Sequence, residues 1–308
     1  MIYTLTMNPS LDRTIDVEEF IYDDVNTIVE EKEYVSGKGI DVSRVIKELG
    51  GQSIALGIVG GYSGLELEGR LVNEGVLCDF TRVNAETRTN IIIHQRKKKM
   101  QTFLSTPGPH VSPLETATIF NKLKDLPRGS HLVISGSLPP DMSETFFAQI
   151  ITTVRDKDIS VFLDTDGETL KNGVQARHYL IKPNIHEFNR LAEKNMKDVE
   201  ELCRAAEPYL EFIDRVVISA GARGAVGVSR QERYHVVPPK VNVKSSMGAG
   251  DSLLAGFIFA LNEGASFKDA LALGVACGTA ATLNPMQALC VREDVYQIRK
   301  EVVIKSID

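Results

Sequence analysis

Residues 245–261 run Ser245-Ser246-Met247-Gly248-Ala249-Gly250-Asp251-Ser252-Leu253-Leu254-Ala255-Gly256-Phe257-Ile258-Phe259-Ala260-Leu261. Three small residues stand immediately ahead of an apolar run with helical spacing, so the segment reads as a tight turn opening into a buried helix. The first amides of a helix lack intrahelical acceptors, and together with the helix dipole they make a seat for an anion. Side-chain bulk at 248–250 would hold a phosphate off that backbone, which accounts for Gly and Ala there. Asp251, in the first turn, has two readings. It is either a helix-capping carboxylate or a general base placed where an acceptor hydroxyl meets a transferring phosphoryl group. The octapeptide alone leaves both open.

Upstream, short apolar runs at 2–6, 53–59, 131–135, 160–164, 179–182 and 215–219 read as strands. Between them, 41–49, 65–74, 113–124, 144–157, 186–194 and 198–213 carry helical spacing. This alternation predicts the α/β class, with a mainly parallel sheet and helices on both faces. Several strands end in Gly, Pro, Asp or Asn turns, among them Gly136-Ser137-Leu138-Pro139-Pro140, Asp164-Thr165-Asp166-Gly167 and Lys182-Pro183-Asn184. Ligands of open α/β sheets bind outside the carboxyl ends of the strands, so these turns are the first candidates for a site.

Two segments break the pattern. Residues 14–36 have β-like stretches at 14–17 and 27–35, and 87–106 reads as a hairpin with strands 89–95 and 100–105. They predict a small accessory sheet laid over the main one. Its basic tip, Arg96-Lys97-Lys98-Lys99, reads as a solvated turn. With no internal repeat and no low-complexity linker, residues 1–308 are expected to form one domain.

The chain has 308 residues, 43% hydrophobic and 25% charged, with 35 basic and 41 acidic side chains for a net charge of −6. These proportions are those of a globular protein and disfavour disordered or fibrous classes. A mildly acidic chain is a poor partner for nucleic acid or an anionic membrane. Cys78, Cys203, Cys277 and Cys290 are too scattered for a zinc cluster or a disulfide framework. The N-terminus lacks the basic and apolar regions of a signal peptide, and no apolar stretch is long enough to span a membrane. The expected location is the cytoplasm.

Ser36-Gly37-Lys38-Gly39-Ile40-Asp41 is a second Gly-flanked turn running into a helix. It is not a P-loop: position 32 is Lys, and Gly39 replaces the hydroxyl that pattern needs for magnesium. It reads either as a polar loop able to bond a sugar-like ligand or as a tight turn with Asp41 as helix cap. On its own, the plain turn is the simpler account.

Together these residues resemble the ribokinase-like (PfkB) carbohydrate kinases over essentially the whole chain. Residues 245–258 fit the C-terminal signature of that family. Thr4-Leu5-Thr6-Met7-Asn8-Pro9-Ser10-Leu11-Asp12, Thr87-Arg88-Thr89-Asn90, Ser135-Gly136-Ser137-Leu138-Pro139-Pro140 and Lys182-Pro183-Asn184-Ile185-His186-Glu187 are similar to its 1-phosphofructokinase and tagatose-6-phosphate kinase branch. The resemblance implies a three-layer α/β/α fold with a small β-sheet lid, ATP as co-substrate, Mg2+, and a ketohexose phosphate as acceptor.

It also implies roles. Asp251 would be the base, with the amides of Gly248, Ala249 and Gly250 stabilising charge on the γ-phosphoryl group. Asn184 and Glu187 would organise the magnesium through water, with Asp164 joining its shell. Lys182, Ser219, Gly221, Gly224, Ser246 and Asn284 would line the nucleotide site. Asp12, Gly37, Lys38, Gly39, Asp41 and Ser137 would meet the sugar, and Arg88 would grip its phosphate in a bidentate way. Asp41 stands where this family usually has Asn, Ser36 where it has Gly, and Asp166 where the branch has Ser or Thr. An ionised Asp only accepts hydrogen bonds, so Asp41 bears on substrate identity.

Three other readings compete with this one. A kinase for an unphosphorylated sugar would leave Arg88 without an anion. A non-catalytic sugar-phosphate-binding protein would have no use for Asp251. A dinucleotide-dependent oxidoreductase would need a G-x-G-x-x-G after the first strand, and none is there. The accessory strands are expected to close over the sugar and to pair two subunits into a homodimer.

Overall fold

A strand with apolar residues on both faces belongs inside a sheet covered on two sides. β1 (Ile2–Thr6) is such a strand, with all but Tyr3 buried. It opens a computed structural model that describes residues 1–285 and 288–307. After it come β2 (Ser10–Val17), β3 (Glu30–Ser36), α1 (Lys38–Glu48), β4 (Ser53–Val59), α2 (Gly61–Asn73), the short β5 (Leu77–Cys78) and β6 (Thr81–Arg82), then β7 (Ile91–Gln95) and β8 (Met100–Leu104). The middle of the chain supplies α3 (Pro113–Lys124), β9 (His131–Ser135), α4 (Phe146–Val154), β10 (Ser160–Asp164), α5 (Gly167–Gln175), β11 (His178–Ile181), α6 (Ile185–Leu191) and α7 (Val199–Ala206). The remainder is β12 (Ile213–Ser219), β13 (Ala225–Ser229), β14 (Arg233–Val237), α8 (Ala249–Asn262), α9 (Phe267–Ala281), α10 (Arg292–Glu301) and β15 (Val303–Ser306).

The main sheet has the order β15-β14-β13-β12-β11-β10-β9-β1-β4-β5, with β6 also on β4. From β4 through β12 its pairings are parallel. One face is covered by α3 to α7, through residues such as Phe147, Ile150, Leu170 and Phe188. The other is covered by α1, α8, α9 and α10, through Val42, Leu254, Phe257, Leu271 and Val295. This is the three-layer α/β/α architecture expected from the alternation.

The alternation does not announce the antiparallel edge of β13, β14 and β15. The links between β12, β13 and β14 are too short to hold a crossover helix, so these strands turn back as a meander. Segment 198–213 is not one helix. α7 stops at Ala206, a 3₁₀ turn containing Pro208 follows, and β12 has begun by Ile213. α1 begins at Lys38, with Gly37 as its N-cap, so Asp41 does not cap it.

The accessory sheet is present, in the order β3-β2-β7-β8. β2 runs antiparallel to β3 and parallel to β7. β2 starts at Ser10, earlier than the predicted 14, which puts Asp12 on the accessory sheet itself. At the basic tip, Arg96 pairs with Asp16 at 2.9 Å and Glu30 at 2.8 Å, and Lys98 with Glu19 at 2.9 Å. The four cysteines are unpaired. No helix among the described residues is long and apolar enough to cross a membrane.

His178, the first residue of β11, is 9% exposed, and neither ring nitrogen has a hydrogen-bond partner among the described residues. Burial pushes its pKa down to about 3 from the usual 6.5, against a weak opposing contact with the Gly173 backbone. The folded chain therefore refuses a proton that the unfolded chain accepts. The stability this withholds is intact above pH 6.5 and is lost as pH falls toward 3. Each pH unit below 6.5 costs about 1.4 kcal/mol. His178→Leu should therefore be more stable than wild type by about 2 kcal/mol at pH 5 relative to the same comparison at pH 8. Urea unfolding at the two pH values measures this, and an equal difference at both would remove His178 from the acid sensitivity.

Candidate active site

Gly248 caps α8 with φ 72°, a left-handed conformation that glycine adopts without strain. The preceding turn is fastened by Lys244 N–H donating to the Thr282 carbonyl at 2.8 Å. This aims the first amides of α8, from Ala249 onward, at the carboxyl end of the main sheet, and Asp251 lies in that first turn. Beside it is Lys182, just past β11 and 3% exposed. Its ammonium comes within 3.5 Å of where a Cβ on Gly250 would be.

Lys182 is held by Asp164, the last residue of β10, at 3.2 Å. The other oxygen of Asp164 takes Lys38 Nζ at 3.3 Å. Lys38 also lies 4.0 Å from Glu187. Burial pushes the Asp164 carboxyl up, but Lys182 and Lys38 more than offset it, and its pKa falls below the ordinary carboxylate value. The Lys38 pKa is raised, chiefly by Asp164. Two expectations change here. Asp164, expected in a magnesium shell, has both oxygens engaged by ammonium groups. Lys38, expected at the sugar, turns toward Asp164 and Glu187.

Asn184 and Glu187 form a capping box on α6. Asn184 Oδ1 accepts from the amides of His186 and Glu187, both at 2.9 Å, and Glu187 Oε2 accepts from the Asn184 amide at 2.7 Å. Asn184 also bridges Ser219 at the end of β12. Gly221 and Gly224 form the turn after Ser219, and Asn284 Nδ2 donates to the Leu289 carbonyl at 2.8 Å. Ser246 is exposed in the turn before α8.

On the sugar side, buried Asp12 accepts from Ser10 Oγ and from Asn90 Nδ2, each at 2.7 Å. Gly39 lets α1 settle on β1, since a Cβ there would come 2.6 Å from Thr6 Oγ1; Gly37 precedes it. Asp41 accepts from Arg44 Nη1 at 3.3 Å, and Arg44 is held in turn by both oxygens of Glu74 at 2.6 and 3.2 Å. Asp166 caps α5 and pairs with Arg190 at 2.5 Å. Ser137 is exposed in the turn after β9.

Arg88 is half-buried and bonded to two carbonyls, those of Asn8 at 2.9 Å and Thr106 at 3.3 Å. Its Nε has no hydrogen-bond partner among the described residues. Burial lowers its pKa, against the attraction of Asp12. Arg44, Glu74, Ser10 and Asn90 were not singled out by the sequence. Ser10, two positions before Asp12, and Asn90, two positions after Arg88, lie within the quoted stretches, and that neighbourhood was the signal that could have found them.

Burial, with Asp164 and Asp41 nearby, pushes the Asp251 carboxyl up to about 8, although Lys38 and Lys182 pull it down. Asp41 is pushed up to about 7 by burial, against Arg44. A base with a pKa near the operating pH is well matched to proton transfer.

Among the described residues no cluster of three or more His, Cys, Asp or Glu is placed to hold a metal ion. Glu187 Oε1 takes no part in the capping box and lies 4.0 Å from Lys38 Nζ. That donor set fits magnesium carried on nucleotide phosphates and water, and does not fit a protein cage.

The sequence profile of the family described as pfkB family carbohydrate kinase matches residues 5–293. Over 309 aligned residues the chain is 34% identical to a 1-phosphofructokinase of Borreliella burgdorferi, covering 100% of this chain and 99% of that one. It is 31% identical to a D-tagatose-1-phosphate kinase of Bacillus licheniformis, with 91% of each chain covered. The crystal structure of phosphofructokinase-2 from Escherichia coli in complex with substrates and products superposes with a TM-score of 0.91 at 32% identity, covering 97% of this chain and 98% of that one.

Asp251→Asn should lower turnover by about 10²–10⁴ with ATP affinity nearly unchanged. In the wild type, turnover should rise with pH through a limb near 8, because the base works only when deprotonated. Burial sets that limb first, and the charges of Asp164 and Asp41 add to it. Wild-type-like turnover in purified Asp251→Asn would leave Asp251 a simple part of the helix start.

Proposed function

Because the chain belongs to the pfkB family of carbohydrate kinases, we propose that it transfers the γ-phosphoryl group of ATP to a hydroxyl of a ketohexose phosphate, fructose 1-phosphate or tagatose 6-phosphate, giving a ketohexose bisphosphate. The observation that carries the choice of a phosphorylated sugar is Arg88, a half-buried guanidinium held by carbonyl oxygens and with Nε unpartnered. A guanidinium out of water needs an anion to offset its desolvation. A substrate phosphate would supply one, and Ser137 would join Arg88 there.

Asp251 removes the proton from the acceptor hydroxyl as that oxygen attacks the γ-phosphorus. The amides of Gly248, Ala249 and Gly250 meet the charge on the phosphoryl oxygens, and Lys182 and Lys38 flank them. Ser219, Gly221, Gly224, Ser246 and Asn284 line the path of the nucleotide. Asp12, Gly37, Gly39 and Asp41 face the sugar hydroxyls. Two lysines stand against Asp164, Glu187 and Asp251, so a polyanionic nucleotide needs a further cation to enter. Mg2+ on the phosphates, met by Glu187 and Asn184 through water, would neutralise charge on the β- and γ-phosphates.

The accessory sheet is the lid in this reading, and it also carries the dimer contact. Phe103 and Leu104 on β8 are exposed, as are Ile21, Tyr22 and Val25 in the loop between β2 and β3, and a two-fold partner would cover such apolar side chains. Excluding water from the closed site directs the phosphoryl group to the sugar.

With ATP and magnesium, kcat/KM should be highest for a ketohexose phosphate when fructose 1-phosphate, tagatose 6-phosphate, fructose 6-phosphate and free sugars are compared. In Arg88→Ala the KM for that substrate should rise about 10–150-fold, and the KM for ATP far less. An unchanged sugar-phosphate KM would revive the kinase for an unphosphorylated sugar.

Sedimentation equilibrium at micromolar concentration should give a dimer, and hydrogen exchange in residues 14–36 and 87–106 should slow when sugar phosphate is added. A strict monomer sinks the first statement, and unchanged protection sinks the second.

A further inference from the structure

Asn8 lies in the turn between β1 and β2, 7% exposed, and has no role in the chemistry above. Pro9 follows it and confines its backbone to extended conformations, so its carbonyl and its side chain have fixed directions. The carbonyl accepts from Arg88 Nη2 at 2.9 Å. The side-chain Nδ2 donates to Ser137 Oγ and to the Leu138 carbonyl, each at 3.3 Å. Asn8 thus touches both groups expected to hold the substrate phosphate, one on the accessory sheet and one in the turn after β9.

The direction of each bond matters. Ser137 Oγ accepts from Asn8, so its own hydrogen remains to be donated elsewhere. Arg88 gives one Nη2 hydrogen to Asn8 and one Nη1 hydrogen to the Thr106 carbonyl, at 3.3 Å; a second hydrogen stays on each of these nitrogens, and buried Nε has no hydrogen-bond partner among the described residues. What remains is a hydroxyl donor and a guanidinium donor, the pair that would meet a phosphomonoester. Gly108, just past Thr106, presses on the same amide: a Cβ there would fall 2.1 Å from Asn8 Oδ1. Any side chain at 108 would push the Asn8 amide off Ser137.

We infer that Asn8 is a positioning residue for the phosphate grip, fixing the separation of Arg88 and Ser137 and turning their remaining donors toward one phosphate. The inference rests on the sugar-phosphate reading of the site. Binding of inorganic phosphate, followed by calorimetry on the full chain, tests it independently of which sugar is turned over.

Asn8→Asp keeps the shape of the side chain but offers only acceptors, so it would draw the Ser137 hydrogen to itself and add a negative charge. It should weaken phosphate binding, and raise the KM for fructose 1-phosphate, by about 10-fold or more. Asn8→Ala and Gly108→Ala should each give about 2–10-fold. In all three, kcat and the KM for ATP should stay within about twofold, which a general loosening of the fold would not allow. In a Ser137→Ala background, Asn8→Asp should lose the part of its effect that runs through the Ser137 hydrogen, because the two side chains share one hydrogen bond. If Asn8→Asp does not fold, Gly108→Ala decides.

Unchanged phosphate affinity in Gly108→Ala and in any Asn8 variant that folds, or a parallel loss of ATP affinity, overturns the inference. A wild-type chain that binds phosphate in an Asn8-dependent way yet phosphorylates no ketohexose phosphate would sink the proposed substrate and leave the role of Asn8 standing.

Discussion

A single buried carboxylate holds the working parts of this molecule in register. Asp164, at the end of β10, takes Lys38 from the start of α1 on one oxygen and Lys182 from the end of β11 on the other. Burying such a charge is costly, and the cost is met only when its partners are close and correctly aimed. The three side chains therefore constrain one another: neither lysine can relax toward solvent without taking an ammonium group away from one oxygen of Asp164. The result is two ammonium groups fixed beside the N-terminus of α8. Flexible lysines would lose rotamer freedom each time an anion arrived; these have lost it already.

The same carboxylate acts at a distance on Asp251. Its negative charge adds to burial in lifting Asp251 toward neutrality, while the two lysines it holds pull the other way. The protonation of Asp251 is thus set by a balance of buried charges. Asp41 enters the same balance from α1, tempered by Arg44, whose charge is shared with Glu74.

Legibility from the sequence followed the range of the interaction. The start of α8 could be read because its demands are local: a left-handed Gly248, small neighbours and an apolar run. The parallel sheet could be read for the same reason, strand by strand. The Asn184–Glu187 motif was read for binding alone. Its spacing is also that of a capping box, which takes one oxygen of Glu187 and leaves the other outside the cap. The contact of Lys38 with Asp164 could not be read because the two lie far apart in the chain, and no local pattern says that Asp164 will be there. Arg44 and Glu74 were invisible for the same reason. The antiparallel edge was missed for two reasons: β13 and β14 come back by short turns where the rest of the chain crosses by helices, and β15 returns to β14 only after α8, α9 and α10.

The order of the main sheet has a further consequence, for the way the chain is made. β1 lies between β4 and β9, so its two sides are complete once residue 135 has left the ribosome. From β9 onward each strand pairs with the one synthesised just before it, through β10, β11, β12, β13 and β14 to β15. The newest strand is always the growing edge. From β9 to β14 a nascent chain can therefore extend the sheet in the order of translation, each strand adding to the one before it, and domains do fold from the N-terminal side during synthesis. An open strand edge is an invitation to aggregate. Here that edge is renewed with each strand made, and the last strand to emerge, Val303–Ser306, is the one that covers β14.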